Sequence, residues 1–287
     1  GSSWNVAEPF FPKERLIILG GGHVALPVAE FGARVGFLVT VVDDRLSFAN
    51  PGRFPMAEKV ICDDFGHAIK ELKIQESDYI CIVTRGHRHD ADCLRMIGKG
   101  KEPAYLGMIG SRRRVGIVKQ ELLEEGYDPE RMSRLKSPIG LKIGGVTPEE
   151  IAISILAEII QVKRMDREDK RVKNRSDLDF DVLKRLAEEP DESKAVVTVI
   201  ESKGSSPRGA GAKMIVYRDG RILGSIGGGC SEAAVLGEAR SLIGSSRYKV
   251  VHVDLTGEAA EDEGMVCGGI MDVLVEDFAT DREPCDR

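Results

Sequence analysis

Short apolar runs alternate with helix-length amphipathic stretches through the first half of the chain, and that alternation predicts a parallel α/β sheet. Arg15–Leu19 (RLIIL) is followed by a helical pattern through Phe31 and by a second apolar run, Phe37–Val42. Runs of this kind, without polar alternation, suit strands covered by helices on both faces. Lys59–Cys62 predicts a third strand, Phe65–Leu72 a helix, Asp78–Thr84 (DYICIVT) a fourth strand and Ala104–Ile109 (AYLGMI) a fifth. Thr147-Pro148-Glu149-Glu150 carries the cap residue, proline and early acids of a helix start, and this helix runs to about Arg164.

From Met165 to Asp177 (MDREDKRVKNRSD) the apolar period stops and charge takes over, as in an exposed linker or helix end. Leu178–Glu188 then reads as a short helix. Strands dominate afterwards: Ala195–Glu201, Lys213–Tyr217, Arg221–Ile226, Tyr248–Leu255 and Ile270–Asp277, with Asp219-Gly220 marking a hairpin. The expected fold class is α/β, a Rossmann-like parallel sheet domain (1–164), a charged linker (165–177) and a smaller α+β domain (178–287).

Composition narrows the function without choosing it. A chain of 287 residues, 42% hydrophobic and 31% charged, has material for two cores and no apolar run that could span a bilayer, so no membrane partner is expected. The net charge of −6 argues against a broad nucleic-acid surface. Six cysteines without framework spacing or a Cys-x-x-Cys pair suit reduced thiols in a cytoplasmic protein. With no His/Cys cluster at ligand spacing, no directly held metal is expected. Gly1-Ser2-Ser3 resembles a tag remnant, and no signal-peptide pattern follows it.

Candidate chemistry sits in glycine-rich turns. Gly20, Gly22 and Ala25 take the three small positions of a dinucleotide fingerprint, and Asp43 stands where a carboxylate would meet a ribose. The first glycine permits the turn, the second a close pyrophosphate, the third small residue close packing of helix on strand. NAD(P) is therefore a candidate cofactor, with His23 either reaching a phosphate or simply capping the helix. Thr84–Asp90 (TRGHRHD) and Gly110-Ser111-Arg112-Arg113-Arg114 follow the fourth and fifth strands, at the sheet edge where open α/β folds bind ligands. His87, His89 and Asp90 are candidates there by position and type, and Ser111 with Arg112, Arg113 and Arg114 could clamp a phosphate or carboxylate; solvated loop or helix-face residues are the other reading.

In the second half, Gly227-Gly228-Gly229-Cys230 lies between a predicted strand and the predicted helix Ser231–Leu242. Backbone N–H groups at such a turn can face an anion, and the helix dipole favours a thiolate at Cys230. Cys267-Gly268-Gly269 repeats the setting before another strand, and Ser205-Ser206-Pro207-Arg208 offers two hydroxyls and an arginine. A glycine turn beside an inert cysteine, and a mobile surface loop, stay open as alternatives.

Taken together, these segments resemble the XdhC/CoxI family of accessory proteins for xanthine dehydrogenase and related molybdenum hydroxylases. The second half carries Gly204-Ser205-Ser206-Pro207-Arg208, Gly211-Ala212-Lys213-Met214, Ser225-Ile226-Gly227-Gly228-Gly229-Cys230-Ser231-Glu232 and Cys267-Gly268-Gly269. The first half carries Gly20-Gly21-Gly22-His23-Val24, Thr40 to Arg45, Arg53-Phe54-Pro55, Thr84 to Asp90, Gly107 to Arg113, Ser137 to Leu141 and Thr147 to Ala152. The two domains stand in reversed order relative to the usual arrangement of the family. The resemblance implies a molybdenum cofactor (molybdopterin) chaperone, a maturation factor rather than a turnover enzyme. Such a factor holds the cofactor for sulfuration by a cysteine desulfurase and inserts it into an apo molybdenum hydroxylase, as a homodimer. It implies that Cys230 and Cys267 handle sulfur or contact the cofactor's molybdenum, with Ser205, Ser206, Arg208, Gly227, Gly228, Gly229 and Gly268 around them. An NAD(P)-dependent oxidoreductase and a non-catalytic adaptor between hydroxylase and desulfurase are the alternatives.

Overall fold

The computed structural model describes residues 12–165, 178–204, 208–254 and 269–278, which fall into two units. The first is a five-stranded parallel sheet in the order β3-β2-β1-β4-β5, built from β1 (Arg15–Leu19), β2 (Leu38–Asp43), β3 (Lys59–Cys62), β4 (Tyr79–Ile82) and β5 (Tyr105–Met108). Leu16 pairs with Val39 and Tyr79, so β1 lies between β2 and β4 and is screened from water on every side. Its residues Leu16 to Leu19 are 0% exposed, each side chain contributing about 1.5–3 kcal/mol of burial.

The pleat of β1 divides the core. Leu16 and Ile18 face the apolar sides of α1 (Ala25–Arg34) and α6 (Pro148–Met165). Ile17 and Leu19 face α2 (Phe65–Leu72), α3 (His87–Gly98) and α4 (Arg112–Glu124). Caps set helix starts: Asp64 accepts from Gly66 and His67 N–H at α2, and Ser111 accepts from Arg114 N–H at α4. At the opposite sheet edge Arg15 donates to both oxygens of buried Asp78 (2.8 and 2.6 Å), tying β1 to the start of β4. A short helix that apolar periodicity does not announce, α5 (Pro129–Arg134), is started by Asp128, which accepts from Glu130 N–H, and by Pro129. Its six residues are too few for a period to register.

The second unit is a five-stranded antiparallel sheet ordered β8-β7-β6-β10-β9. Its strands are β6 (Lys194–Gly204), β7 (Lys213–Tyr217), β8 (Ile222–Gly224), β9 (Tyr248–Asp254) and β10 (Gly269–Phe278). One face packs on α8 (Gly229–Leu242) through Val197, Met214, Val235, Ala239 and Val273. The other carries α7 (Phe180–Glu188), whose Val182 meets Ile215 and Tyr217. A bulge between Asp272 and Val273 shifts the β6–β10 register. The expected hairpin forms, with Gly220 N–H donating to Tyr217 O (3.0 Å). The strand expected over Arg221–Ile226 contracts to β8. Gly224 turns out of it at φ +81°, where a Cβ would meet Lys213 O at 2.5 Å. The mixed α/β architecture, a parallel Rossmann-like sheet and then a smaller α+β unit, is the one expected.

Candidate functional site

The first unit brings its candidate residues to one edge of the sheet. With β1 between β2 and β4, the chain leaves β1 toward one side and β4 toward the other, which makes the gap between them a topological switch point. Gly20 to His23 follow β1, Asp43 ends β2, Thr84 to Asp90 follow β4, and Gly110 to Arg114 follow β5.

On the β1–β2 side this edge is filled by the protein's own groups. The Asp43 carboxylate, 1% exposed, accepts from Gly21 N–H (2.8 Å), from Arg45 N–H (3.0 Å) and from Arg45 Nε and Nη2 (2.9 and 3.0 Å). Four donors occupy the two oxygens, so the acceptor expected for a ribose is already spent. Gly20 N–H donates to Val42 O (2.7 Å). Arg53 reaches over the turn to the carbonyls of Gly21 and Gly22 (3.2 and 3.4 Å). Phe48 lies on Gly21, and the Arg45 guanidinium stacks 3.7 Å from its ring centroid. The need for glycine here is therefore internal: a Cβ on Gly20 would meet Val83 O at 2.5 Å, and one on Gly21 would meet Phe48 O at 2.3 Å. A Cβ on Gly22 would meet nothing within 4 Å, and His23 beside it is exposed.

An ion pair bridges the switch point. Arg85 donates to both oxygens of Asp44, one of these bonds at 2.8 Å. The Arg85 guanidinium holds the Asp44 carboxyl down at about 2.

The β4–β5 side is open. A cavity of about 270 Å³ is lined by His87, Ser111, Arg113, Arg114, Ile117 and Glu121. The expectation of a loop around His87 is corrected: His87 to Asp90 form the first turn of α3, which Gly86 precedes as its cap. Asp90 is 0% exposed and accepts from Thr84 Oγ1 (2.5 Å) and from Arg114 Nη2. Burial pushes its carboxyl up, and the Thr84 hydroxyl and the Arg114 guanidinium oppose that shift. His89 packs its ring edge-on against Phe65, 5.6 Å between centroids, and is partly buried. Arg112 is exposed and does not line the cavity; Arg113 and Arg114 do. Sequence reasoning brought Asp90 and the three arginines to this edge without pairing Asp90 with Arg114. A run of three arginines cannot say which points inward, because successive helical residues differ by about a third of a turn.

A larger cavity of about 360 Å³ lies at the opposite end of the sheet, beside the start of β5. Its arginines are committed to structure, Arg131 to the carbonyls of Gly98 and Gly100 and Arg134 to Glu102 and Glu130. It also stands at the edge of a parallel sheet where ligands are not usually held.

In the second unit, Gly227, Gly228 and Gly229 adopt φ of +136°, +72° and +52°, backbone that glycine accepts freely. α8 begins at Gly229, earlier than the expected Ser231, which puts the Cys230 backbone in its first turn. The picture of bare N–H groups facing a ligand needs correcting. Gly228 N–H donates to Glu232 Oε1 (2.9 Å), and Gly227 N–H donates to Ser225 Oγ (3.1 Å). Ser225 Oγ in turn donates to Glu232 Oε1 (2.7 Å). The chain's own carboxylate thus sits at the start of α8, where the dipole favours it. Glu232 was legible only as a motif letter, since its reach back to the turn depends on the φ values of the glycines. A Cβ on Gly228 would meet nothing within 4 Å, so the turn itself is open to close approach. Arg208 is partly buried. Ser205, Ser206, Cys267, Gly268 and the Cys230 side chain lie outside the described residues. Among the described residues no group of three or more His, Cys, Asp or Glu could hold a metal ion, and no helix is long and apolar enough to cross a membrane.

A doubly wound sheet with a ligand edge at its switch point defines the first unit as a Rossmann domain, here followed by an antiparallel domain with a glycine turn opening a helix. Residues 16–159 match the XdhC Rossmann domain and residues 187–254 match the XdhC and CoxI family, so the chain belongs to the XdhC/CoxI family with the Rossmann domain first. It is 37% identical over 152 residues to Uncharacterized protein YqeB of Escherichia coli K12, covering 53% of this chain and 28% of that one. It is 34% identical over 153 residues to a probable xanthine dehydrogenase subunit of Bacillus subtilis 168, covering 53% and 44%. It is 39% identical over 74 residues to Molybdenum cofactor insertion chaperone PaoD of Escherichia coli K12, covering 26% and 23%. The chain thus spans less than half the length of these curated relatives.

Proposed function

We propose that this chain is a maturation factor that binds molybdenum cofactor as cargo and delivers it to an apo molybdenum hydroxylase. The observation that carries the reading is the presence of both family modules in one chain, the Rossmann domain and the antiparallel domain. The similarity to a protein named a molybdenum cofactor insertion chaperone supports it. The cargo is a phosphate-bearing molecule, and Gly228 leaves room for it to approach the α8 turn. With Gly227 and Gly228 N–H already bonded, the anionic end falls to other donors, and Ser205, Ser206, Arg208 and Gly268 are assigned that part. Cys230 and Cys267 are assigned to sulfur handling or contact with the cargo's metal end, and Gly229 shapes the turn. A cysteine desulfurase as sulfur donor, a homodimeric state and a cytoplasmic setting complete the proposal and rest on the family resemblance. The saturated Asp43 carboxylate weighs against the reading as an NAD(P)-dependent oxidoreductase.

The test is anaerobic binding of purified molybdenum cofactor to the full chain and to Cys230→Ala, followed by activation of an apo-hydroxylase with each. Retention and activation by the native chain, both reduced in the variant, are expected. A native chain that neither retains cofactor nor activates the hydroxylase overturns the proposal. Unchanged values in the variant remove Cys230 from it.

A further inference from the structure

We propose that the β4–β5 side of the Rossmann edge is a phosphate-binding site formed by His87, Ser111, Arg113 and Arg114, separate from the dinucleotide fingerprint at β1–β2. The two sides of one edge differ in what they have left to offer. At β1–β2 the Asp43 oxygens and the N–H groups of Gly20 and Gly21 are all engaged, and Arg53 closes over the glycine carbonyls. At β4–β5 there is a cavity of about 270 Å³, room for a phosphate and part of the molecule that carries it.

Its polar wall is built rather than incidental. Arg114 folds over Gly110, its Cδ 3.3 Å from where a Cβ of that glycine would stand, and it is aimed by Asp90, itself fully buried and bonded by Thr84. That single ion pair uses one nitrogen of the guanidinium. Arg114 Nε is buried with no hydrogen-bond partner, so the Asp90 pair is the one bond its guanidinium makes among the described residues. Arg113 and His87 make no hydrogen bond or ion pair with the described residues and line the same space. The Ser111 hydroxyl caps α4 and keeps its own proton to donate. Two arginines, a serine and a histidine lining one cavity carry donors of the kind the several oxygens of a phosphate take. The far wall holds Glu121, seven residues along α4 from Arg114 and so roughly 10 Å away by the helical rise.

This inference is independent of cofactor delivery. Its test is calorimetric titration of the full chain with inorganic phosphate, AMP and NAD at fixed ionic strength. Native chain is compared with Arg113→Glu, Arg114→Lys, Arg112→Glu and Gly22→Ala. Saturable phosphate binding is expected, weakened at least tenfold by Arg113→Glu and by Arg114→Lys, and within twofold of native in Arg112→Glu and Gly22→Ala. Arg113 is exposed and unpaired, so its variant folds even if changes at Arg114 do not. AMP tighter than phosphate identifies a nucleotide as the source of the phosphate, and equal affinity a phosphate recognised alone. Absence of saturable binding at millimolar ligand, equal losses in Arg112→Glu and Arg113→Glu, or NAD binding lost only in Gly22→Ala each overturns the assignment.

Discussion

Alanine placed in turn at Gly20, Gly21 and Gly22 separates a glycine loop that packs on its own chain from one kept bare for a ligand. At Gly21 the new Cβ would lie 2.3 Å from Phe48 O, so the carbonyl must retreat to at least 3.0 Å, a movement of 0.7 Å or more. Phe48 is not free to give way, because Arg45 stacks on its ring and is itself bonded to Asp43. Overpacking of this kind costs about 1–3 kcal/mol. At Gly20 a contact of 2.5 Å with Val83 O adds to a backbone at φ +112°, and the conformational penalty raises the cost to about 2–4 kcal/mol. At Gly22 there is no contact within 4 Å. Loss of unfolded-chain entropy then leaves alanine neutral or stabilising by up to about 1 kcal/mol. The assay is urea unfolding of the full chain, with hydrogen exchange of the β1 and β4 amides to localise the effect to this domain. A Gly21→Ala chain as stable as the native protein, or a Gly22→Ala chain as weakened as Gly20→Ala, refutes the internal role of the first two glycines.

Asp43→Asn should lower stability by about 2 kcal/mol or more, because an amide cannot accept from four donors around a buried site; unchanged urea midpoints with altered nucleotide binding would instead make Asp43 a ligand residue. The Asp44–Arg85 pair lowers a folded-state pKa, so its stabilisation is present above the ordinary value of 3.8 and is lost as pH falls toward about 2. Both side chains are partly exposed, which limits the effect to under about 1 kcal/mol. The native-minus-Asp44→Asn stability difference should vanish over that window, and a difference independent of pH would contradict the pairing. Burial pushes the Cys81 and Cys93 thiols up, whereas Cys62 is exposed. Iodoacetamide at pH 8 should therefore modify Cys62 while sparing Cys81 and Cys93 until the chain unfolds, and equal rates by mass spectrometry would refute their burial.

The alternation of apolar runs and helical periods was enough to find the five parallel strands, because the inner strands are covered on both faces and must be apolar, while the edge strand β3 keeps only a short apolar run. The glycine turns after β1 and before α8 were equally legible, since Gly20 and Gly227 to Gly229 take backbone that glycine accepts freely. What each turn has left to offer was not. Asp43 has the type and spacing of a ribose ligand, yet a rotamer of Arg45 and the path of Phe48 decide that its oxygens are occupied. Glu232 reaches back to Gly228, and among the described residues Arg114, alone of three adjacent arginines, meets a carboxylate on another helix. Sequence determined where the chain turns and which elements form, through local sterics and the burial of apolar faces. Tertiary structure decided which donors and acceptors remain unspent, because a hydrogen-bonding group satisfied from within is no longer available to a ligand.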